Sequence, residues 1–96
     1  MSVSGELDLA TVPRLRQETQ GLLQQGASRV LLELGNLTFI DSSGLSLLIE
    51  LNNRSLHEGW TLHLSRPPAK AFAVFTITGA DTNLPFVDDP NCDDPN

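Results

Sequence analysis

The sequence predicts an α/β domain with a mainly parallel sheet of about four strands and helices packed on it. Two observations carry this prediction. Short extended segments alternate with amphipathic helical segments, in the order strand, helix, strand, helix, strand, helix, strand. The run RVLLEL at 29–34 follows directly on a helical segment and is almost continuously apolar, which is typical of a buried parallel strand. Right-handed crossovers would bring successive strands side by side, so we expect one domain over 1–87.

The first strand and the first helix have clear local signals. The chain begins with SVSGELDL after Met1, a short extended segment in which we expect a turn at Gly5. The first helix is expected over about 12–25, because Thr11 offers a capping hydroxyl and Pro13 lies in the first turn.

The middle of the chain predicts a strand, a long helix and another strand. The strand at 29–34 is expected to break at Asn36. A broad apolar stripe then predicts a second helix over about 43–58, which ends near Gly59. WTLHLS at 60–65 alternates between apolar and polar residues, as a half-buried strand does.

The last helix and strand complete the alternation. Two prolines start a third helix over about 68–78, and Gly79 ends it. Phe72 and Phe75 are expected on its buried face. The segment NLPFV then supplies a short final strand.

Charge is concentrated at the C-terminus of the chain. The formal net charge is −6, from twelve acids and six bases. Residues 88–96, DDPNCDDPN, hold four of these acids and no base, which leaves eight acids against six bases in 1–87. A segment so acidic is expected to be a disordered tail. Because no basic patch is present, direct nucleic-acid binding is not expected.

The sequence carries no sign of a membrane segment, a leader or a cofactor. No run approaches the ~20 apolar residues of a membrane span, and the chain does not start with the basic and apolar regions of a signal peptide. We therefore expect a cytoplasmic protein without a membrane partner. Cys92 is the one cysteine, which excludes an internal disulfide and a multi-cysteine metal site. Neither a metal nor another cofactor is expected.

The motif FIDSSG at 39–44 lies where a buried strand meets a helix. In α/β sheets, functional groups gather at such junctions, and the free amides of a helix N-terminus favour an anion there. The same residues also have a purely structural interpretation. Asp41 or Ser42 would then serve only as the helix cap, and Gly44 would only allow close packing. The motif taken by itself leaves both interpretations open.

A hydrolase is the enzymatic alternative for this motif, and the sequence argues against it. A nucleophile elbow has the pattern G-x-S-x-G, but Ile40 holds the place of the first glycine. The base would have to be His57 or His63. His57 is near the far end of the same helix, ~20 Å from Ser42 at 1.5 Å per residue, and His63 is on the polar side of a strand. No enzymatic activity is therefore expected.

Several segments together resemble a known family. These are GELDLAT, then RVLLELGNLTFIDSSGLSLLI, then EGWTLHLSRPP, then TGADTNLPF. From about Gly5 to Phe86, the chain is similar to STAS domains, and specifically to the bacterial anti-sigma factor antagonists. The combination of G-E-L-D with F-I-D-S-S-G-L at this distance is far more specific than DSSG alone.

The resemblance implies regulation by partner switching. In this family the unphosphorylated protein binds an anti-sigma factor, a serine kinase of the GHKL ATPase type, and so frees the sigma factor. The kinase phosphorylates the serine after the motif aspartate, here Ser42, and a separate serine phosphatase resets the switch. The residues expected at the partner interface are Asp41, Ser42, Ser43, Gly44, Leu45, Glu6 and Asp8.

The chain also departs from the family pattern. Members usually carry about a dozen more residues before GELD, whereas only MSVS precedes it here. The first strand is therefore expected to be shortened or missing, which would expose a sheet edge that a second copy could cover as a homodimer. The usual last helix is replaced by the acidic tail, and Ser46 stands where a glycine is common. A second functional hypothesis is a STAS regulatory subunit of a transport ATPase complex, such as a lipid-transport ABC complex, or of a stressosome-like assembly.

Overall fold

The computed structural model describes residues 1–87, and it has the alternating order of elements that the sequence predicts. The elements are β1 (Ser2–Leu7), α1 (Val12–Gln24), β2 (Arg29–Ile40), α2 (Ser42–Glu58), β3 (Thr61–Ser65), α3 (Ala69–Thr78), a 3₁₀ turn (Ala80–Thr82) and β4 (Phe86–Val87). The helices begin and end within one residue of the expected positions. The 3₁₀ turn was not expected from the sequence. The predicted disordered tail at 88–96 lies outside the described residues.

The four strands form one sheet in the order β1-β2-β3-β4, and all three neighbouring pairs are parallel. This confirms the α/β fold class. With strand order equal to chain order, right-handed crossovers place the helices on one face of the sheet. Burial agrees, because alternate strand residues such as Leu7, Leu32 and Leu64 are buried while Glu6 and Glu33 on the other face are exposed.

The expected break at Asn36 is wrong, because β2 continues to Ile40 as one strand. Two register shifts against β1 explain how it does so. Ser2 pairs with Glu33 but Ser4 pairs with Asn36, and a second shift follows at Gly5. Each shift gives β2 one extra residue, as a β-bulge does. The extra residues let apolar side chains spaced three apart all reach the core, namely Leu34, Leu37 and Ile40.

The expected turn at Gly5 is also wrong. Gly5 has a φ of 77°, which favours glycine, but it lies inside β1, and the strand continues to Leu7. The chain turns only after Leu7. Gly5 therefore kinks the strand and does not end it.

The sheet is staggered, and this positions the strand ends. β3 pairs with the first part of β2, from Arg29 to Leu32. β1 pairs with the rest of β2 up to Ile40. The C-terminal ends of β1 and β2 therefore project together, with Leu7 opposite Ile40.

The core contains the apolar faces of the sheet and of the helices. Phe75 is fully buried, and its ring packs edge-on against Phe86 with ring centroids 5.3 Å apart. Phe72 is half-buried and contacts the same ring, so both phenylalanines lie on the inner face of α3 as expected. Trp60 is only 8% exposed, and its indole N–H donates to Glu58 Oε1 at 3.0 Å.

Candidate functional site

The start of α2 is built around Asp41. Asp41 has extended backbone angles and is the N-cap of α2. Its Oδ1 accepts a hydrogen bond from the Gly44 N–H at 3.1 Å, and its carbonyl accepts from the Leu45 N–H at 3.0 Å. The side-chain bond satisfies the Gly44 amide, which has no partner within the helix, and the carbonyl bond is the first regular hydrogen bond of α2. Because the Asp41 N–H also donates to the Leu7 carbonyl at 3.2 Å, the cap ties the start of α2 to the end of β1.

Gly44 lets the first turn of α2 approach the sheet closely. A Cβ at this position would lie 2.5 Å from the Leu7 carbonyl oxygen, 2.8 Å from Leu7 Cγ and 3.0 Å from Ile40 Cγ1. A Cβ atom does not come this close to a backbone oxygen or to the side chains of neighbouring residues without displacing them. Glycine is therefore required at position 44 by packing against the ends of β1 and β2.

Ser42 is the first residue of α2, and it is exposed. Ser43, the next residue, is half-buried, and Gly44 and Leu45 are buried. With helical spacing, the outward stripe that starts at Ser42 continues through Ser46 and Ile49, both of which are exposed. The hydroxyl of Ser42 is therefore the more accessible of the two adjacent serines.

The turn between β1 and α1 is held by Asp8. Its Oδ1 accepts from the backbone N–H groups of Ala10 and Thr11, each at 3.1 Å, and contacts the Thr11 hydroxyl at 3.2 Å. Thr11 does not cap α1 with its side chain, so that expectation is wrong. Its hydroxyl accepts from the Asp8 N–H and lies 2.9 Å from the Glu6 carbonyl. The hydroxyl thus serves the turn, and the first amide of α1, that of Val12, donates to the Asp8 carbonyl at 2.9 Å instead.

The structure brings together the two segments that the sequence predicted as one site. Glu6 is paired with Phe39 and Leu7 with Ile40, so the residues that follow β1 lie beside the start of α2. We call this region the junction surface, and we define it by its accessible residues: Glu6, Asp8, Leu9, Phe39, Asp41, Ser42 and Ser43. Gly44 and Leu45, expected at the interface, are buried beneath it.

Two apolar residues of the junction surface were missed by the sequence reasoning. Leu9 is 74% exposed and Phe39 is 49% exposed. Large apolar side chains on a surface mark interaction sites when they cluster. The sequence could have revealed Leu9, because it lies in a polar turn where a large apolar side chain has no core to enter. The exposure of Phe39 could not be predicted from the sequence. In a regular strand adjacent residues face opposite sides of the sheet, but here both Thr38 and Phe39 are exposed.

The junction surface is acidic. It contains Glu6, Asp8 and Asp41, and neither segment that forms it, 1–10 or 36–46, contains a lysine or arginine. A further anion on this surface would therefore find no lysine or arginine within these two segments to compensate it.

The described residues give little support to a metal site, a membrane span or a histidine base for Ser42. No group of three or more His, Asp or Glu side chains in 1–87 could hold a metal ion, and no helix there is long and apolar enough to cross a membrane. His57 lies in the last turn of α2, where its Nδ1 is 2.9 Å from the Asn53 carbonyl. At 1.5 Å per residue, it is ~22 Å from Ser42 along the helix.

The side chains with shifted pKa values lie away from the junction surface. Hydrogen bonds from Arg16 hold the pKa of Glu50 below its ordinary value, and Arg54 with Trp60 does the same for the pKa of Glu58. These groups stabilise the helical layer and offer no acid or base near Ser42.

Comparison with known proteins finds one family across the described residues. A family model described as "Mlab, STAS domain" matches residues 1–88. The anti-sigma-B factor antagonist of Staphylococcus aureus (strain NCTC 8325 / PS 47) is 37% identical over 79 residues, which cover 82% of this chain and 73% of the relative. The anti-sigma-B factor antagonist of Staphylococcus epidermidis is 30% identical with the same coverage.

A solved structure has the same fold. It is the anti-sigma factor antagonist SpoIIAA in its unphosphorylated form, with a TM-score of 0.69 and 22% sequence identity. The match covers 94% of this chain and 78% of SpoIIAA.

Proposed function

The chain belongs to the STAS domain family, and from this premise we propose that it acts as an anti-sigma factor antagonist. In its unphosphorylated form it binds an anti-sigma factor that is a GHKL-type serine kinase, and so releases the sigma factor. The observation that carries the proposal is the exposure of Ser42 at the first residue of α2. The two relatives named as anti-sigma-B factor antagonists support the same role.

Phosphorylation of Ser42 would act through charge. A phosphate adds ~1.5 to 2 negative charges beside Asp41, on a surface whose two segments contain no base. A partner surface complementary to the free protein would meet an uncompensated anion in its interface, which costs several kcal/mol. Because Ser42 is already exposed, the switch needs no refolding of the domain.

Ser42 is a better acceptor than Ser43 on structural grounds. A kinase must reach the hydroxyl and place it in line with a phosphoryl group. Ser42 is exposed, whereas Ser43 is half-buried beside the buried Gly44. The remaining junction residues would contact the partner directly, and Gly44 with Leu45 would support them from below.

The rest of the proposed cycle follows from this role. A serine phosphatase would restore Ser42, and the chain itself would need no cofactor and perform no catalysis. We further propose that it works in the cytoplasm, without direct contact to nucleic acid or membrane. Any pairing with a second copy would be independent of this switch.

A second candidate is a STAS regulatory subunit of a transport ATPase complex or of a stressosome-like assembly. The description of the matching family model favours keeping it, because that description names Mlab and does not name an anti-sigma factor antagonist. In that role the junction surface would contact the ATPase or scaffold, and phosphorylation of Ser42 would not be required.

The proposal is tested with purified protein and the GHKL-type anti-sigma kinases encoded in the same genome. We expect one kinase to bind wild type and to phosphorylate it with Mg-ATP. Ser42→Ala should bind that kinase but accept no phosphate, and Ser42→Asp should bind ~100-fold more weakly, a loss of about 2.7 kcal/mol. Ser43→Ala is the matched control and should still be phosphorylated.

Two results would overturn the assignment. One is phosphate on Ser43 of Ser42→Ala at the wild-type rate. The other is equal affinity of Ser42→Asp and wild type. Binding to a transport ATPase, with no kinase among the partners, would favour the second candidate.

A further inference from the structure

The exposed face of α2 continues well beyond Ser42. Five exposed residues follow one another along this helix at spacings of four, three, four and three positions, namely Ser42, Ser46, Ile49, Asn53 and Leu56. This is the spacing of the residues on one side of a helix that packs lengthwise against another helix. We call these five residues the α2 stripe. The stripe is ~21 Å long at 1.5 Å per residue.

The half of the α2 stripe that lies farther from Ser42 is apolar. Ile49 is 40% exposed and Leu56 is 75% exposed. They are seven positions apart, so they lie almost on one line along the helix. A shallow groove of about 450 Å³ runs beside them, and its lining includes Ser46, Ile49 and Asn53. The stripe therefore offers both apolar surface and a groove that can receive side chains of a partner.

The charged residues beside the α2 stripe have partners within the domain. Arg16 donates to both carboxylate oxygens of Glu50, at 3.2 and 2.9 Å. Arg54 donates to Gln20 Oε1 at 2.9 Å and to Glu58 Oε2 at 3.1 Å. A partner that covers the stripe can leave these bonds intact. Because an added charge would have to be buried without a partner of its own, the contact favours an apolar surface over a charged one.

The position and chemistry of the α2 stripe point to the partner that binds the junction surface. We propose that a helix of the anti-sigma factor lies along the stripe, with apolar residues against Ile49 and Leu56 and a polar residue opposite Asn53. This inference rests on the proposed function, because the stripe begins at Ser42, inside the junction surface, and continues the interface proposed there. A phosphate on Ser42 would meet the end of the docked helix.

Two other occupants fit the α2 stripe less well. Five side chains, of which two are apolar, bury far less than the ~1,600 Å² of a standard interface. A second copy would need further contacts that the stripe does not supply, whereas the anti-sigma factor also has the junction surface. The segment 88–96 contains no leucine, isoleucine, valine, methionine or aromatic residue. It therefore has no large apolar side chain to place against Ile49 and Leu56.

Affinity for the kinase that phosphorylates wild type tests the contact. Leu56→Glu puts a charge into the apolar half of the α2 stripe and should weaken binding of the unphosphorylated protein at least ~10-fold. Leu56→Ala should weaken binding less. Gln17→Glu adds the same charge at an exposed residue of α1, so it is the matched control and should bind as wild type does. Circular dichroism should be unchanged in all three variants, because both positions are exposed.

Phosphorylation kinetics separate this inference from the proposed switch. Leu56→Glu keeps the hydroxyl of Ser42, so with Mg-ATP its KM as a substrate should rise while kcat stays near the wild-type value. Equal affinities of Leu56→Glu and wild type would overturn the docked helix and leave the assignment of Ser42 standing. If no anti-sigma kinase bound wild type, the proposed function and this inference would both be wrong.

Protection of thiols from alkylation measures how far the contact extends. In a Cys92→Ser background, Ser46→Cys, Asn53→Cys and Leu56→Cys should each be protected by the bound kinase, whereas Gln17→Cys on α1 should react as in the free protein. Protection of Ser46→Cys alone would confine the contact to the region of the junction surface and contradict the proposal. Protection of Asn53→Cys and Leu56→Cys in the protein alone, increasing with its concentration, would show that a second copy covers the stripe and would also contradict it.

Discussion

The two strand-to-helix junctions of the junction surface have an aspartate each and use it differently. Between β1 and α1 the chain makes a turn, and the carboxylate of Asp8 holds it by accepting from Ala10 and Thr11. Between β2 and α2 there is no turn, because Asp41 alone separates Ile40 from Ser42. Its carboxylate accepts from one amide, that of Gly44.

The difference shows how one junction can be structural and the other available to a partner. At the first junction, the carboxylate and the neighbouring hydroxyl are both engaged in the turn. At the second junction, one carboxylate oxygen caps the helix, and the close approach at Gly44 supplies the remaining support. Ser42 is therefore presented to solvent on a rigid helix start, without a hydrogen bond that a kinase would have to break among those described.

The largest effect should come from filling the close approach at the second junction. Gly44→Ala puts a methyl group against the Leu7 carbonyl, so α2 and β1 must separate. Overpacking of this kind should lower the free energy of unfolding by about 3 kcal/mol, measured by urea denaturation.

Gly21→Ala is the matched control for that variant. Gly21 lies inside α1, and a Cβ there would meet nothing within 4 Å. The substitution should raise the free energy of unfolding by ~0.5–1 kcal/mol through helix propensity. Equal stabilities of Gly44→Ala and wild type would show that the first turn of α2 is not held against the sheet as described.

The sequence was sufficient for the elements whose ends are set locally. The starts of the three helices follow from Pro13 in the first turn of α1, from Asp41 as the cap of α2 and from the two prolines before α3, and glycines follow the last turns. These signals act within a few residues. The sequence also predicted that the turn after β1 lies close to the serine motif after β2, since parallel strands end at the same edge of a sheet. This proximity is visible in the pairing of Leu7 with Ile40.

The remaining features depend on contacts between distant segments. The bulges in β2 exist because β1 lies beside it, so Asn36 gave a misleading local signal. Thr11 was expected to cap α1, but its hydroxyl bonds within the turn that Asp8 holds. This arrangement depends on where β1 ends. The requirement for glycine at position 44 depends on the Leu7 carbonyl, thirty-seven positions away in the chain. No local pattern encodes such contacts.

An intermediate effect should separate the roles of the two aspartates. Asp8→Ala removes the carboxylate that accepts from the Ala10 amide, the Thr11 amide and the Thr11 hydroxyl, although the Thr11 amide keeps the Asp8 carbonyl as acceptor. The loss should cost about 2 kcal/mol of stability. Asp41→Ala removes one capping bond and should cost about 1 kcal/mol. Chemical denaturation of both variants checks this order.

Asp41→Asn sharpens the same comparison, because asparagine also caps helices. Its stability should stay close to wild type, while one negative charge beside Ser42 is lost. If Asp41→Ala were more damaging to stability than Asp8→Ala, the assignment of Asp8 as the turn-holding residue would be wrong.

The smallest effect concerns the ion pair between α1 and α2, which is one of the side-chain contacts that join these helices. Arg16 of α1 donates to both carboxylate oxygens of Glu50 of α2, at 3.2 and 2.9 Å. These bonds hold the pKa of Glu50 below its ordinary value of 4.5. The folded pKa is lower than the unfolded one, so the ion pair stabilises the protein above the unfolded pKa and loses this effect as the pH falls through the folded pKa. Because both side chains are more than 40% exposed, water and salt screen the pair, and its effect should be smaller than that of Asp41→Ala.

Glu50→Gln should therefore be slightly less stable than wild type at pH 7, and the difference should shrink in 1 M salt and as the pH falls well below the ordinary glutamate pKa of 4.5. Glu33→Gln, at an exposed position of β2 outside this ion pair, is the control and should show a smaller difference at pH 7. Denaturation curves at pH 7 and pH 3 measure both variants. If the difference between Glu50→Gln and wild type persisted unchanged at pH 3, the stabilisation would come from packing of the side chain and not from its charge. The two helices would then be held together by packing and by the hydrogen bond from Arg54 of α2 to Gln20 Oε1 of α1 at 2.9 Å, neither of which depends on the charge of Glu50.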